Sequence, residues 1–474
     1  MADALLGVLM NTTAFAHKDG FGYGVRRLLG SRFYLFFVTL CIFIAHTLAA
    51  EIPIALFLMV PTLLGFLFAE DLRFLLPLLL GGVCIMSVAH SPYLPNESDY
   101  IFTVGMPYIW AIAGLFVIGL FIFMVRRRRA AAPFASLRLK WGHLAFFAAM
   151  VLSGLFQENA IKNLTYGIGV GASFLAVYLL FGLFHPKTKE NAHHFLFTLL
   201  LVGLLVSAEL LVLYFRTVTF ENGLPVKSSV LIGWGTWTHI GALLGMCLPA
   251  PFYLARVSER GYTLYLLSGA VMTVALLFSA SRASWLYGGV ILILSILLLC
   301  LGGKHRRTSR TILLVAVLCG VIAVLLLLPK ILAFLSAFVQ FGAGDNGRFA
   351  IWGAALRAFR EAPLFGRGFF NTDIVLDGFP PIMPYLYHNT PLQMLGSAGA
   401  FGLLLYLFHR VETVLLFLKR RRSTLSLFLL LVPAALILFS ITDEHIFHVY
   451  PAFFYTIALS LAEGGYEEEP LLQK

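Results

Sequence analysis

The chain has 474 residues, 60% of them hydrophobic and only 12% charged, with a formal net charge of +11. Soluble domains carry about a quarter charged residues, so the bulk of this chain has lipid as its solvent, and an ordinary soluble enzyme is excluded. The positive balance is not a nucleic-acid footprint, because it is gathered in short segments between apolar runs.

Those runs recur from one end to the other at about 20 residues, the length a helix needs to cross hydrocarbon. The period-2 alternation of an outer-membrane barrel is absent, so they read as helices. The apolar patch from Ala4 to Met10 is short and followed by polar residues, so it does not resemble a cleaved leader, and the first span begins near Phe33. In chain order the spacing predicts about fourteen spans: 33–50, 52–69, 72–90, 104–125, 141–156, 164–184, 195–215, 229–254, 261–280, 283–301, 311–335, 391–418, 424–440 and 446–462. The second and third are short enough to form a hairpin instead. The expected fold is an all-α polytopic integral membrane protein of about 12–14 transmembrane helices with one long extracytoplasmic loop containing helices. The five cysteines (Cys41, Cys84, Cys247, Cys300, Cys319) lie in apolar runs without CxxC spacing and read as small buried hydrophobes. "GIGVG" at Gly167 falls inside a span, where small residues serve helix packing better than phosphate binding.

The basic runs alternate. One set of segments holds Arg26, Arg27 and Arg32, then Arg126 to Arg129, Lys187 and Lys189, Arg256 and Arg260, "KHRRTSR" from Lys304 and "KRRR" from Lys419. The other holds only Lys162, Arg216, Lys227, Arg282, Arg348, Arg357, Arg360 and Arg367. Positive residues accumulate on the cytoplasmic face, so the first set and both termini are expected inside. This divides the chain into a cytoplasmic N-terminal segment, 1–32, transmembrane helices over 33–335, an extracytoplasmic loop over 336–390, and C-terminal transmembrane helices with a cytoplasmic tail over 391–474.

Three constellations fall on the outer face. "FSASRASWLYGG" places Arg282 at a helix start, where partial positive charge disfavours arginine unless an anion sits beside it; Ser279, Ser281 or Ser284 can cap that start. "DNGRFAIWGAALRAFREAPLFGRGFFNT" reads as a helix capped by Asp345 or Asn346 and stopped by Pro363, with Arg348 in its first turn. Its Phe349, Trp352, Leu356 and Phe359 share a face that lies along the interface or docks on the bundle. Arg357, Arg360 and Arg367 read more simply as a solvated or headgroup face. In the third, "YHNTPLQMLG", Pro391 suits the first helical position, Asn389 or Thr390 the cap, and His388 lies just outside. The helix end is expected to keep His388 neutral near pH 7, able to take a proton from a hydroxyl. Elsewhere, Glu209 and His239 stand at membrane depth on adjacent spans and can pair. "TDEHIFHVYP" gathers Asp443, Glu444, His445 and His448 on the last outer turn, read as a polar rim cluster, with metal binding conceivable.

His388-Asn389, nine residues, Gly399, two residues, Gly402, together with "SASRAS" and "PLFGRGFF", resembles the O-antigen ligase/polymerase-like superfamily of membrane glycosyltransferases over 279–402. Gly396 stands where many relatives have an acidic residue, and the span count exceeds the twelve typical of the ligases. The resemblance implies transfer of a glycan from undecaprenyl diphosphate to a hydroxyl of lipid A–core or another cell-surface glycan, without metal or cofactor. The reaction would occur at the outer face of the bacterial cytoplasmic membrane, making 336–390 a periplasmic catalytic loop. It implies His388 as general base, Arg282 and Arg348 as catalytic residues on the diphosphate, and Asn389 and Arg367 as further substrate-binding residues. Polymerisation of a glycan and transfer to a protein hydroxyl are alternatives within the same superfamily. A flippase or transporter would place its ionisable groups at the midplane, near Glu209 and His239, and carry structural repeats, which the sequence lacks. The implied partners are the lipid-linked donor, a glycan or glycolipid acceptor and membrane lipids, with no nucleic acid.

Overall fold

The computed structural model describes residues 20–48, 51–88, 106–221, 224–226, 229–232, 235–342, 348–370 and 386–466. Helices carry the fold, and the chain is an all-α polytopic membrane protein. Strands among the described residues are confined to two antiparallel two-residue ladders, Phe220–Glu221 with Leu224–Pro225 and Leu231–Ile232 with Gly235–Thr236.

The N-terminal half contributes α1 (Phe21–Leu29), α2 (Arg32–Thr47), α3 (Glu51–Phe68), α4 (Leu76–Val88) and α5 (Met106–Arg127). Then follow α6 (Lys140–Val151), α7 (Ala160–Phe184) and α8 (Lys189–Arg216). The predicted eighth span is two helices, α9 (Trp237–Cys247) and α10 (Pro249–Val257), because Pro249 and Pro251 interrupt one continuous run. After α11 (Tyr262–Phe278) a π-turn over Ser284–Gly288 leads into α12 (Gly289–Leu301) and then α13 (Arg306–Gly342). The chain closes with α14 (Arg348–Glu361), α15 (Thr390–Arg420), α16 (Thr424–Phe439) and α17 (Val449–Ala462).

Five helical stretches among the described residues are long and apolar enough to cross a membrane, and five shorter apolar helices accompany them. Helix α8 is largely enclosed, with 78% of its apolar stretch buried, as is the α9–α10 stretch at 94%, against 28% for that of α15. Such a helix is hydrophobic all round because helices surround it, whereas α15 turns Leu404, Leu415 and Val414 outward, as lipid contact requires. Small residues set the closest approach. A Cβ at Gly167 would run into the Met150 backbone and one at Gly171 would lie 3.0 Å from Phe147, so the "GIGVG" run seats α7 on α6 as expected. Cys41, Cys247 and Cys300 are free thiols in apolar surroundings.

One pairing differs from the sequence expectation. Glu209 on α8 meets His46 on α2, with Nε2 to Oε2 at 3.1 Å, and not His239. His239 lies in the first turn of α9, near the membrane surface, and bonds elsewhere. The register of α8 against α9 decides this, and it follows from packing, not from span order.

Candidate active site

The site is assembled where the start of α15 meets the turn between α16 and α17. Asn389 caps α15, its Oδ1 accepting from Leu392 N at 2.9 Å while its Nδ2 donates to Ile441 O at 2.7 Å. One end of this amide therefore caps α15 and the other ties it to the α16–α17 turn. Thr390 N donates to Ser440 O at 2.9 Å across the same junction. Tyr387 N donates to Gln393 Oε1 at 2.7 Å, and Gln393 Nε2 donates in turn to Ser397 Oγ at 2.7 Å. Held from both sides, His388 adopts φ 50°, a left-handed conformation in which histidine is enriched among non-glycine residues.

That backbone aims the imidazole at two acids. His388 Nδ1 lies 2.9 Å from Asp443 Oδ1 and 2.8 Å from Glu444 Oε2. The acids are nearly buried, at 7% and 6% side-chain exposure, while His388 is 37% exposed. Nδ1 is thus committed inward, and Nε2 has no hydrogen-bond partner among the described residues. Burial pulls the imidazole down, but the hydrogen bonds and charges of Asp443 and Glu444 outweigh it and raise its pKa to about 10. The expectation of a neutral His388 is corrected here. A helix terminus offers about half a charge, whereas two carboxylates at hydrogen-bonding distance offer far more. Burial and the neighbouring Asp443 charge push Glu444 up to about 8. Asp443 is held well below its usual range: burial opposes this, but His445 and the bonds from Glu444 and His388 prevail.

Histidines continue the cluster. His239 Nδ1 pairs with Thr236 Oγ1 at 2.8 Å, and its Nε2 with His448 Nε2 at 3.0 Å. His445 is fully buried, 3.7 Å from Asp443, with neither ring nitrogen hydrogen-bonded among the described residues. Burial depresses His445, and burial brings His448 down to about 4. The rim cluster read from "TDEHIFHVYP" is therefore the inner wall of the His388 site. His388, Asp443 and Glu444 also place one potential ligand atom each within 4.8 Å of one another, a spacing that suits a cation, and Glu444 Oε2 is buried without a hydrogen-bond partner among the described residues.

The predicted arginines fall around this core. Arg348 opens α14; burial is what chiefly depresses His445, and the Arg348 charge adds slightly to it from nearby. Its expected caps, Asp345 and Asn346, lie outside the described residues. Arg282 follows Ala280, itself at φ 54°, and opens the helix that continues into the π-turn. Ser281 Oγ accepts from Ser284 N at 3.3 Å, so Ser281 is the capping serine. Ser284 packs against Gly241 so closely that no Cβ would fit there. Gly241 is two residues from His239, so the Arg282 segment reaches the histidines through α9. The structure thus gathers His388, Arg348 and the Arg282 segment at one end of the bundle.

Arg367 behaves differently. Its Nη1 donates to Gln157 Oε1 at 3.1 Å, and its Nε lies 3.4 Å from Glu361 Oε2. Its own turn is threaded into a break in α15. Gly399 leaves the helix at φ 68°, freeing backbone groups that the 363–368 segment then satisfies. Arg367 N donates to Gly396 O and Gly368 N to Ser397 O, both at 2.9 Å, while Ala400 N donates to Pro363 O at 2.8 Å. Side chains from α7 lock the turn's end: Phe370 N donates to Asn163 Oδ1 at 2.9 Å and Asn159 Nδ2 to Phe370 O at 2.9 Å. The predicted span over 391–418 is thus a broken helix. On α14 the docking face is Ala354, Ala355 and Ala358, whereas Phe349 and Leu356 remain 70% and 43% exposed. Gly396 has no room for an acid: a Cβ there would lie 2.8 Å from the Tyr387 ring and 3.2 Å from Ala355 O.

What the sequence did not connect is His388 to Asp443 and Glu444, 55 residues on. The available signal was two adjacent acids beside two histidines on the side of the chain poor in charge. Residues 267–407 match the family model described as O-antigen ligase. No curated protein sequence matches the chain.

Proposed function

We propose that this chain, which carries the domain of the O-antigen ligase family over residues 267–407, is a membrane glycosyltransferase that moves a glycan from undecaprenyl diphosphate to an acceptor hydroxyl. The observation that carries the reading is the carboxylate-anchored His388, with Nδ1 held inward and Nε2 unpartnered among the described residues. In the reaction the acceptor oxygen bonds to the anomeric carbon and the sugar–phosphate C–O bond breaks. The diphosphate leaves with the electron pair, His388 Nε2 takes the hydroxyl proton, and the anomeric centre inverts.

Asp443 plays the part that an acid plays behind a catalytic histidine elsewhere, orienting the ring and stabilising the imidazolium that forms. Because the three groups share protons, the base-competent form arises once the cluster has lost one proton. That proton comes first from Glu444, the weaker of the two holders, and redistribution within the cluster leaves neutral His388 with Nε2 free. Arg282 and Arg348 are assigned to the leaving diphosphate, where planar guanidinium forks pair phosphate oxygens bidentately. One such electrostatic donor contributes about 3–4 kcal/mol by analogy with oxyanion sites. Buried polar atoms without hydrogen-bond partners among the described residues, Ser284 Oγ, Trp352 Nε1 and the His445 nitrogens, lie on the same elements and support a polar ligand. Two fixed arginine charges supply what a divalent cation would otherwise give, so transfer is expected to survive chelation. Arg367 and Asn389 are assigned to seating the loop and the start of α15 around the substrate.

The site end is assigned to the outer face of the bacterial cytoplasmic membrane, the basic end to the cytoplasm, and 336–390 to the periplasmic catalytic loop. Lipid A–core, a growing glycan end or a protein hydroxyl would each present the nucleophile to the same base. The test is purified full-length protein in proteoliposomes with an undecaprenyl-diphosphate glycan, EDTA and a panel of acceptors. Transfer by wild type and its loss in His388→Ala support the reading; full activity in His388→Ala overturns the mechanism. Arg348→Lys should also be poor, because a point charge does not replace a fork.

A further inference from the structure

A second polar site lies at the far end of the bundle. Helix α15 is 31 residues long, so its ends are up to about 46 Å apart. Beyond its last turn a cavity of about 630 Å³ opens between the C-termini of α5, α7, α15 and α17, lined by Arg127, Arg138, Lys187, Arg420 and Glu463. That volume lies within the range of small-molecule sites.

Glu463, the one carboxylate among the described lining residues, is already spent. Its Oε2 takes Lys187 Nζ at 2.6 Å, and its Oε1 accepts from Tyr178 OH at 2.6 Å and from Leu139 N at 2.9 Å. Arg420 Nη2 donates to the Glu463 carbonyl, while Arg420 Nε is buried without a partner. The side chains of Arg127 and Arg138 make no hydrogen bond or ion pair among the described residues. Among the described residues four cations thus face one carboxylate. The four helix C-termini contribute about half a negative charge each, which among those residues still leaves an excess of about one positive charge. Arg138 lies on no helix, so a helix dipole does not account for it.

The cavity is flanked by exposed aromatics. Beside it Lys140 stacks over Phe134 and Trp141, at 5.1 and 5.9 Å, and both aromatics are exposed. Aromatic belts of this kind mark the membrane–water interface.

We propose that this cavity is an anion site that takes the phosphate of a phosphoester, held by the guanidinium groups of Arg127, Arg138 and Arg420. It is independent of the chemistry at His388. A guanidinium cluster matches phosphate geometry, and basic pockets between helices on the cytoplasmic side are suited to anionic lipid headgroups. The same phosphate chemistry is offered by an anionic phospholipid and by a soluble nucleotide, and two arms separate them.

Full-length protein is placed in nanodiscs of phosphatidylcholine and titrated in one arm with phosphatidylglycerol and in the other with ATP. The Arg127→Gln/Arg138→Gln variant is compared with Arg421→Gln/Arg422→Gln, which removes equal charge from exposed positions outside the lining. Saturable binding of either probe to wild type is expected, weakened at least ~10-fold in the first variant and unchanged within about twofold in the second. The responding arm names the source. No saturable binding in either arm, or equal loss in both variants, overturns the proposal. Among the described residues neither Arg127 nor Arg138 bonds through its side chain, so an unchanged Tm is expected and shows that a loss of binding is not a loss of fold.

Discussion

His388 owes its chemistry to three residues in a row. Tyr387 is tied by its N–H to Gln393, Asn389 by its amide to Ile441, and between them His388 is held at φ 50° with Nδ1 on Asp443 and Glu444. The pH dependence follows from the direction of the shifts. Glu444 is raised to about 8, so below that pH the cluster retains the proton it must lose, and the rate of transfer should climb through an alkaline limb near pH 8. Asp443→Asn removes the charge that raises both Glu444 and His388, so the limb should move to lower pH. The maximal rate should also fall by roughly 10²–10⁴-fold, because the orienting acceptor is lost. A pH–rate series on the purified pair checks both; an unmoved limb would separate Asp443 from the base. The histidine was legible from its place before Pro391, but its protonation was not. Charge state depended on partners 55 residues away, and the sequence offered only the weaker helix end.

At the scale of the element, α15 is a broken helix whose break is a junction. Gly399 at φ 68° exposes backbone groups that 363–368 pairs, and a Cβ there would collide with the Leu364 carbonyl. Gly399→Ala should therefore cost about 2 kcal/mol or more, from backbone strain plus the clash. Gly169→Ala, in a helix with open space around the position, should be neutral or slightly stabilising. Thermal unfolding in detergent distinguishes them; equal Tm values would mean that the junction carries no load. The sequence showed both partners, "PLFGRGFF" and the glycines of α15, as separate short motifs. It did not show that one fills the gap in the other, since no local pattern records which backbone groups a loop will satisfy. For a related reason the pattern of α14 left two placements open for its aromatic stripe, along the interface or docked on the bundle. Phe349 and Leu356 stay exposed, and the alanine face is the one that fits closely against Gly396 of α15.

The whole molecule has two polar ends separated by apolar helices. At one end, His388, Asp443, Glu444 and Arg348 surround the start of α15; at the other, Arg127, Arg138 and Arg420 surround the cavity below its last turn. If the first end faces outward, a membrane-impermeant maleimide should label Glu158→Cys in intact cells, and Thr308→Cys only after permeabilisation. Both positions are exposed, and a cysteine-free background removes the native thiols. The reverse pattern would turn the proposed orientation over.

The sequence by itself determined that the chain is a helical membrane protein, where most of its apolar helices lie, and which polar motifs its long loop carries. Those properties are local: helix length, hydropathy and capping are written in consecutive residues. Tertiary structure alone decided that His388 is paired with carboxylates that raise its pKa, that Asp443 and Glu444 are those partners, that Glu209 meets His46, and that the basic helix ends enclose a cavity. Each of these is a contact between distant segments. In lipid, where apolar surface is cheap on every side, such contacts are set by small-residue packing and polar satisfaction, which linear pattern does not encode.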